Sequence, residues 1–189
     1  MEESLLKAMR SLETGVCHIY HKKFDDWTND RLLEYIAEPT DDRLYAIAQL
    51  IRGGVDLVLI YNRTKIDMFF LEKFKNIVEF ERVVEAAPMN IEVLREAKRM
   101  GFSDKFIGQL WGVSQHDMYL LREKNGIFPV YKMIDTCASE FSSYVPYFYS
   151  TYEDENESLV SDKEKIVVLG SGPIRIGQGV EFDYSTVHA

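Results

Sequence analysis

Basic residues are in short supply. The 189-residue sequence sets 22 Lys and Arg against 31 Asp and Glu, a formal net charge of −9. Neutralising phosphates takes clustered Lys and Arg, so a general nucleic-acid or anionic-membrane surface is excluded, though a local basic patch is not. Cysteine is scarcer still. Cys17 and Cys137 lie far apart, fit no metal spacing and no disulfide framework, and read as reduced structural thiols. The histidines, His18, His21, His116 and His188, are scattered. His18 and His21 lie three apart and could share a helical face, but no third ligand stands nearby, so no metal site is expected. No apolar run approaches the roughly 20 residues needed to span a bilayer. The start, Met1-Glu2-Glu3-Ser4, lacks the basic flank and apolar stretch of a signal peptide, and a cytoplasmic location is the default expectation. What is present suits a soluble globular chain: 46% hydrophobic and 28% charged residues, with room for one ordinary domain and an extra segment.

Up to about residue 126 the chain reads as a series of short helices. Residues 4–13 carry Leu5, Leu6, Met9 and Leu12 at helical spacing, and Gly15 stops the run. Thr28 is an N-cap for residues 30–37, and Pro39 closes that turn. Thr40-Asp41-Asp42 opens a helix with acids at its positive end. Leu44, Ile47, Ala48 and Ile51 form its apolar face, and Gly53-Gly54 ends it. Residues 56–62 suit helix or strand by periodicity, and their helical neighbours favour helix. The longest element spans residues 67–85. There Ile66, Phe70, Phe74, Ile77 and Val84 cluster on one side, and Phe69, Leu71, Val78 and Phe80 widen the stripe past half the circumference. A surface helix needs only about 100° of apolar arc. This one is therefore expected to be buried on two sides, either as a central core helix or with part of its face against another chain. Three capped helices follow. Asn90 caps residues 91–100, Ser103 caps 104–111, and Ser114 caps 115–124 with Asp117 as its capping-box partner; Gly101, Gly112 and Gly126 end them.

After Gly126 the character changes. Phe128-Pro129-Val130-Tyr131 reads as extended. Residues 141–152 hold Phe141, Tyr144, Tyr147, Phe148, Tyr149 and Tyr152 around Pro146, an aromatic segment expected to lie over a surface. Residues 153–165 are rich in acids and read as a solvated linker. Residues 165–169 form a short apolar run, expected to be a buried strand, that feeds Gly170-Ser171-Gly172-Pro173, and residues 178–189 begin a helix. A parallel strand needs neighbours on both sides and helices over both faces. The chain is therefore expected to be cut within an α/β unit.

Two motifs invite sharper readings. Gly170-x-Gly172-x-x-Arg175 departs from the dinucleotide fingerprint at its third position, where a glycine permits close strand–helix packing. A backbone-rich turn beneath some other ligand or channel is the better reading. The turn Gly112-Val113-Ser114 between two short helices resembles a helix-turn-helix unit within residues 90–126. The would-be recognition helix has Asp117 and Glu123 against Arg122 and Lys124, for no net charge, and Met118, Tyr119, Leu120 and Leu121 dominate it. A groove-reading helix needs Arg, Lys, Asn or Gln toward base edges, so helix packing is favoured over DNA binding.

Three stretches carry a family resemblance. Glu3-Ser4-Leu5-Leu6-Lys7-Ala8-Met9-Arg10-Ser11-Leu12-Glu13 resembles the helix that closes the first ATP-grasp half of carbamoyl phosphate synthetase large chains. Pro129-Val130-Tyr131-Lys132-Met133-Ile134-Asp135-Thr136-Cys137-Ala138-Ser139-Glu140-Phe141, with Tyr149-Ser150-Thr151-Tyr152, resembles the end of their oligomerisation domain. Gly170-Ser171-Gly172-Pro173-Ile174-Arg175-Ile176-Gly177-Gln178-Gly179-Val180-Glu181-Phe182-Asp183-Tyr184 resembles the opening of their second half. Thr64-Lys65-Ile66-Asp67 and Gly101-Phe102-Ser103-Asp104 fit between them, so the resemblance covers essentially the whole chain.

The resemblance implies an enzyme that makes carbamoyl phosphate from bicarbonate, glutamine-derived ammonia and two ATP, for arginine or pyrimidine synthesis. A glutaminase small subunit supplies the ammonia, and an internal tunnel carries the intermediates. It also implies that Gly177, Gln178 and Gly179 lie beside the tunnel and that Gly170 and Gly172 make the strand-to-helix turn. A small residue at Gly179 suits a passage that any side chain would narrow. ATP and Mg²⁺ (or Mn²⁺) belong to ATP-grasp segments that this chain does not contain, so no catalytic, cofactor or metal residue is assigned within it. Met1 directly before Glu2-Glu3-Ser4 reads as an added start.

The expectation is a mainly α chain: a small multi-helix domain followed by an incomplete α/β stub of strand, glycine turn and helix. Residues 1–15 are the end of the first half, 16–150 the helical oligomerisation domain, 151–165 the acidic linker and 166–189 the truncated start of the second half. The expected partners are other copies of the large subunit and, in the intact enzyme, the small subunit, with neither nucleic acid nor membrane. The chain alone is expected to be inactive, and residues 166–189 to be poorly packed or held by a neighbouring chain.

Overall fold

The computed structural model describes residues 1–12, 14–135, 137, 140–141 and 148–168. They belong to two units, Met1–Ser158 and Leu159–Ala189, the second described as far as residue 168.

The first unit is mainly α, as expected. Its helices are α1 Glu2–Ser11, α2 Asn29–Tyr35, α3 Arg43–Arg52, α4 Leu57–Thr64, α5 Met68–Ala86, α6 Ile91–Arg99, α7 Asp104–Trp111 and α8 Gln115–Lys124. The expected caps form: the side chains of Thr28, Asn90, Ser103 and Ser114 each accept a backbone N–H at the start of their helices, and Ser114 and Asp117 close a reciprocal capping box. Asp56, within the helix-or-strand stretch, caps α4, which is helical. Asp42, among the acids expected at the start of α3, stands at its N-cap position. Asp42 makes no capping bond; its carboxylate takes the Lys23 ammonium and the Tyr35 hydroxyl instead, joining the segment before α2 to α3.

Helix α5 is the hub, in contact with α1, α3, α4, α6 and α7. Its buried side is Leu71, Phe74, Ile77, Val78, Glu81 and Val84. Phe70, expected near the centre of the inward stripe, points outward and is 44% exposed, and Phe69 is 52% exposed. The inward face is rotated because a charged residue, Glu81, occupies it, and a count of apolar residues alone leaves that position out.

The first helix is tied to the hub's neighbours by a close approach. Gly101 has φ +89°, and a Cβ there would lie 2.8 Å from the Glu3 Cα and 3.2 Å from its carbonyl oxygen. Only glycine allows that conformation and that contact together. Arg10 then donates to the Gly101 carbonyl at 2.8 Å, and Leu6 and Met9 are buried.

After α8 the chain forms an antiparallel pair that the sequence did not announce: β1 Val130–Met133 against β2 Phe148–Thr151, with Val130 opposite Thr151 and Met133 opposite Phe148. The start of the acidic run is not a freely solvated linker. It doubles back along the other edge of β1: Tyr131 N–H donates to Asn156 Oδ1, the Glu157 N–H donates to the Tyr131 carbonyl, and Met133 N–H donates to the Glu157 carboxylate. Lys132 explains the reversal, because its ammonium gathers Glu153, Glu155 and Glu157 within 3.9, 3.3 and 3.5 Å.

In the second unit, the strand expected at residues 165–169 is not formed over its described part. Ile166 and Val167 are 92% and 80% exposed and have no ladder partner. An apolar strand without neighbours cannot satisfy its backbone, which is the physical reason. The glycine turn and the helix expected after it lie outside the described residues.

Candidate functional site

Three features of the first unit stand out: two buried charge clusters and one exposed apolar face. The first cluster centres on Glu81 of α5. Its carboxylate accepts from Arg52 of α3 at 2.6 and 2.8 Å and from His18 Nε2 at 2.9 Å, and Arg52 also donates to the Ile19 carbonyl at 2.9 Å. His18 is buried, with its ring stacked on Phe106 at 3.7 Å. Burial holds the His18 imidazole below its ordinary value and outweighs the attraction of Glu81, so the ring is neutral near pH 7 and donates from Nε2. Its Nδ1 then carries a lone pair with no partner among the described residues. Burial alone would raise the Glu81 carboxyl, but its bonds to Arg52 and His18 win and hold it below the usual carboxylate range. The cluster clamps the segment before α2, helix α3 and helix α5 together.

The second cluster centres on Asp104, in the first turn of α7. It accepts from Lys98 of α6 at 2.9 Å and, through two oxygens, from Arg122 of α8 at 2.7–3.0 Å. Lys98 also donates to the Phe102 carbonyl and Arg122 to the Ile127 carbonyl. Burial pushes the Lys98 amine down, only partly offset by Asp104. For Asp104 the balance reverses: its two cations outweigh burial and lower its pKa. The Tyr152 ring, just past β2, lies 4.9 Å from the Lys98 ammonium and 5.6 Å from the Arg122 guanidinium. That double cation–π contact seats the ribbon on α6 and α8.

This geometry answers the helix-turn-helix reading. Arg122, half the positive charge of the would-be recognition helix, is buried against Asp104, and Met118 is buried as well. The outward side of α8 carries Tyr119 and Leu120, and of its two cations Arg122 is consumed in helix packing.

The exposed apolar side chains of α4 and α5 include Val58, Leu59 and, less exposed, Tyr61 on α4, and Phe69 and Phe70 in edge contact on α5. Asp56 and Asp67, capping α4 and α5 in turn, orient the two helices that carry them. Apolar side chains grouped in this way on a surface mark contact with another macromolecule more than chemistry.

No group of three or more His, Cys, Asp or Glu able to hold a metal occurs among the described residues, and no helix there is long and apolar enough to cross a membrane. Gly170, Gly172, Gly177, Gln178 and Gly179, singled out from sequence, all lie outside the described residues. Neither charge cluster was foreseen. A signal for each was present: Glu81 and Lys98 fall at stripe positions of α5 and α6 that should be apolar, and a charge inside such a stripe calls for a buried partner.

Two buried charge clusters thus hold a helical unit together and leave apolar side chains of α4 and α5 exposed. Comparison with known families gives it a place. The model of the carbamoyl-phosphate synthetase large chain, oligomerisation domain, matches residues 1–126, and that of the carbamoyl phosphate synthase preATP-grasp domain matches residues 162–189. The chain belongs to the carbamoyl-phosphate synthetase large-chain family.

Proposed function

We propose that this chain is the part of a carbamoyl phosphate synthetase large chain that brings copies of that chain together and joins its two synthetase halves. The observation that carries the reading is the outward apolar face of α4 and α5, on a domain whose family is named for oligomerisation. The parent is a glutamine-hydrolysing ligase. It forms carbamoyl phosphate from bicarbonate, glutamine-derived ammonia and two ATP, serves arginine or pyrimidine synthesis, and works in the cytoplasm with a glutaminase small subunit. ATP and Mg²⁺ or Mn²⁺ act in ATP-grasp segments outside this chain, which by itself makes no carbamoyl phosphate. Within residues 166–189, Gly177, Gln178 and Gly179 border the tunnel and Gly170 and Gly172 make the strand-to-helix turn.

Light scattering of the chain across a concentration series tests the association. A dimer or larger is expected, with Phe70→Glu reduced to monomer because a carboxylate in an apolar contact is desolvated without a partner. A monomer at every concentration would overturn self-association through this face and assign it to the synthetase halves. ATP-dependent carbamoyl phosphate formation by the chain alone would overturn the assignment of chemistry elsewhere.

A further inference from the structure

A groove of about 300 Å³ opens beside His18, between the segment before α2 and helix α7. Its charge is unlike that of the chain around it. Lys22 and Lys105 line it, and no carboxylate among the described residues does. Neither of these lysines has a hydrogen bond or ion pair within the described residues. Asp104, next to Lys105 in sequence, is turned away and taken by Lys98 and Arg122, so it does not neutralise Lys105.

Two of the other polar groups lining the groove, His21 and Gln109, offer free donors, whereas the buried Nδ1 of His18 is an acceptor. His21 accepts the Lys23 N–H at its Nδ1, 3.1 Å away. With Nδ1 accepting, the ring presents an N–H at Nε2, which has no acceptor among the described residues. Gln109 adds an amide with no partner there. The larger concavity between α3 and α5, about 540 Å³, differs: Asp56, Glu72 and Glu79 line it alongside Lys75 and Arg82, and Lys75 already pairs with Glu79. Of the two, the groove beside His18 is the one-sided one in charge. A concavity lined by one sign of charge concentrates ions of the other sign. Val16 and Phe106 supply apolar wall for a non-ionic part of a ligand, and the volume suits a small molecule.

We propose that this groove binds a small phosphate-bearing molecule. Lys22 and Lys105 neutralise the dianion, and His21 Nε2–H and the Gln109 amide donate to its oxygens. This site is separate from the association face and does not depend on it.

Titrating the 189-residue chain with inorganic phosphate at constant ionic strength, followed by NMR, tests the proposal. Saturable shifts at Lys22, Lys105 and His21 are expected. The double variant K22A/K105A removes two exposed side chains without partners, so it folds, and it should bind at least tenfold more weakly. K124A, which removes a lysine elsewhere, should bind as the parent does. Phosphate should also slow alkylation of Cys17, which lines the groove, and leave Cys137 unaffected. Shifts that fail to saturate, or K22A/K105A binding as tightly as the parent, would overturn the site. So would K124A weakening binding as much as the double variant, since the effect would then be one of net charge alone.

Discussion

The Glu81 and Asp104 clusters put a buried carboxylate to use in different proportions. Glu81 serves one guanidinium and one neutral imidazole, whereas Asp104 serves two cations at once. The carboxylates are equally screened, with side chains 11% and 12% exposed, but the cations are not: Arg52 is 19% exposed, against 7% for Lys98 and 9% for Arg122. The lesson is that what the carboxylate leaves behind decides its weight. Removing one partner of a buried pair costs more than the pair contributes, because the survivor stays buried and charged.

Asp104→Ala should therefore be the most damaging change, about 3–5 kcal/mol, since it strands two buried cations beside each other. Glu81→Ala should cost less, about 2–4 kcal/mol, because Arg52 keeps its bond to the Ile19 carbonyl and His18 is already neutral. Denaturant midpoints of the two variants decide the order, and an equal or reversed ranking would break the comparison.

Acid sharpens the same contrast. His18 has a lowered pKa when folded, so the unfolded chain takes up its proton first, and stability falls as pH drops below the ordinary imidazole value of 6.5. Glu81 and Asp104 are also held low, and their contribution is lost only further down, below the ordinary values of 4.5 and 3.8. The early loss thus belongs to the Glu81 cluster alone. His18→Gln should flatten the stability profile just below pH 6.5 and leave the lower limb in place. Retention of the early limb in that variant would assign it elsewhere.

Tyr152→Ala tests what the Asp104 cluster does beyond helix packing. A loss of about 1–2 kcal/mol is expected for a ring held between two cations. It should appear as faster hydrogen exchange in β1 and β2, with α1 to α8 unchanged. The smallest effect is at an exposed cap: Ser114→Ala should cost about 1 kcal/mol by thermal unfolding, and a much larger loss would mean that the turn before α8 carries more than a capping box.

Much of the helical body was legible in the residues. Thr28, Asn90, Ser103 and Ser114 announce helix starts because their side chains satisfy orphan N–H groups locally, within three residues, whatever the rest of the chain does. Asp42 has the same chemistry but did not cap, since Lys23 and Tyr35, distant in sequence, offered its carboxylate better partners. Phe70 was misplaced for a related reason. An apolar wheel has no way to rank a phenylalanine against a glutamate whose counter-ions lie on other elements. The ribbon was missed because pairing of Val130 with Thr151 spans a long sequence separation, through segments with only weak local preference. The groove lysines were visible as residues, but their freedom from partners was not.

By itself, then, the sequence determined the class, the helix positions with their caps and glycine stops, and the family through its motifs, because each rests on interactions within a few residues or on residue identity. Only the tertiary structure decided which charges were buried together, that α5 turns Glu81 inward and Phe69 and Phe70 outward, and that Lys22 and Lys105 line the groove beside His18 without partners among the described residues. Those outcomes depend on which distant side chains arrive at the same place, and no local preference encodes that.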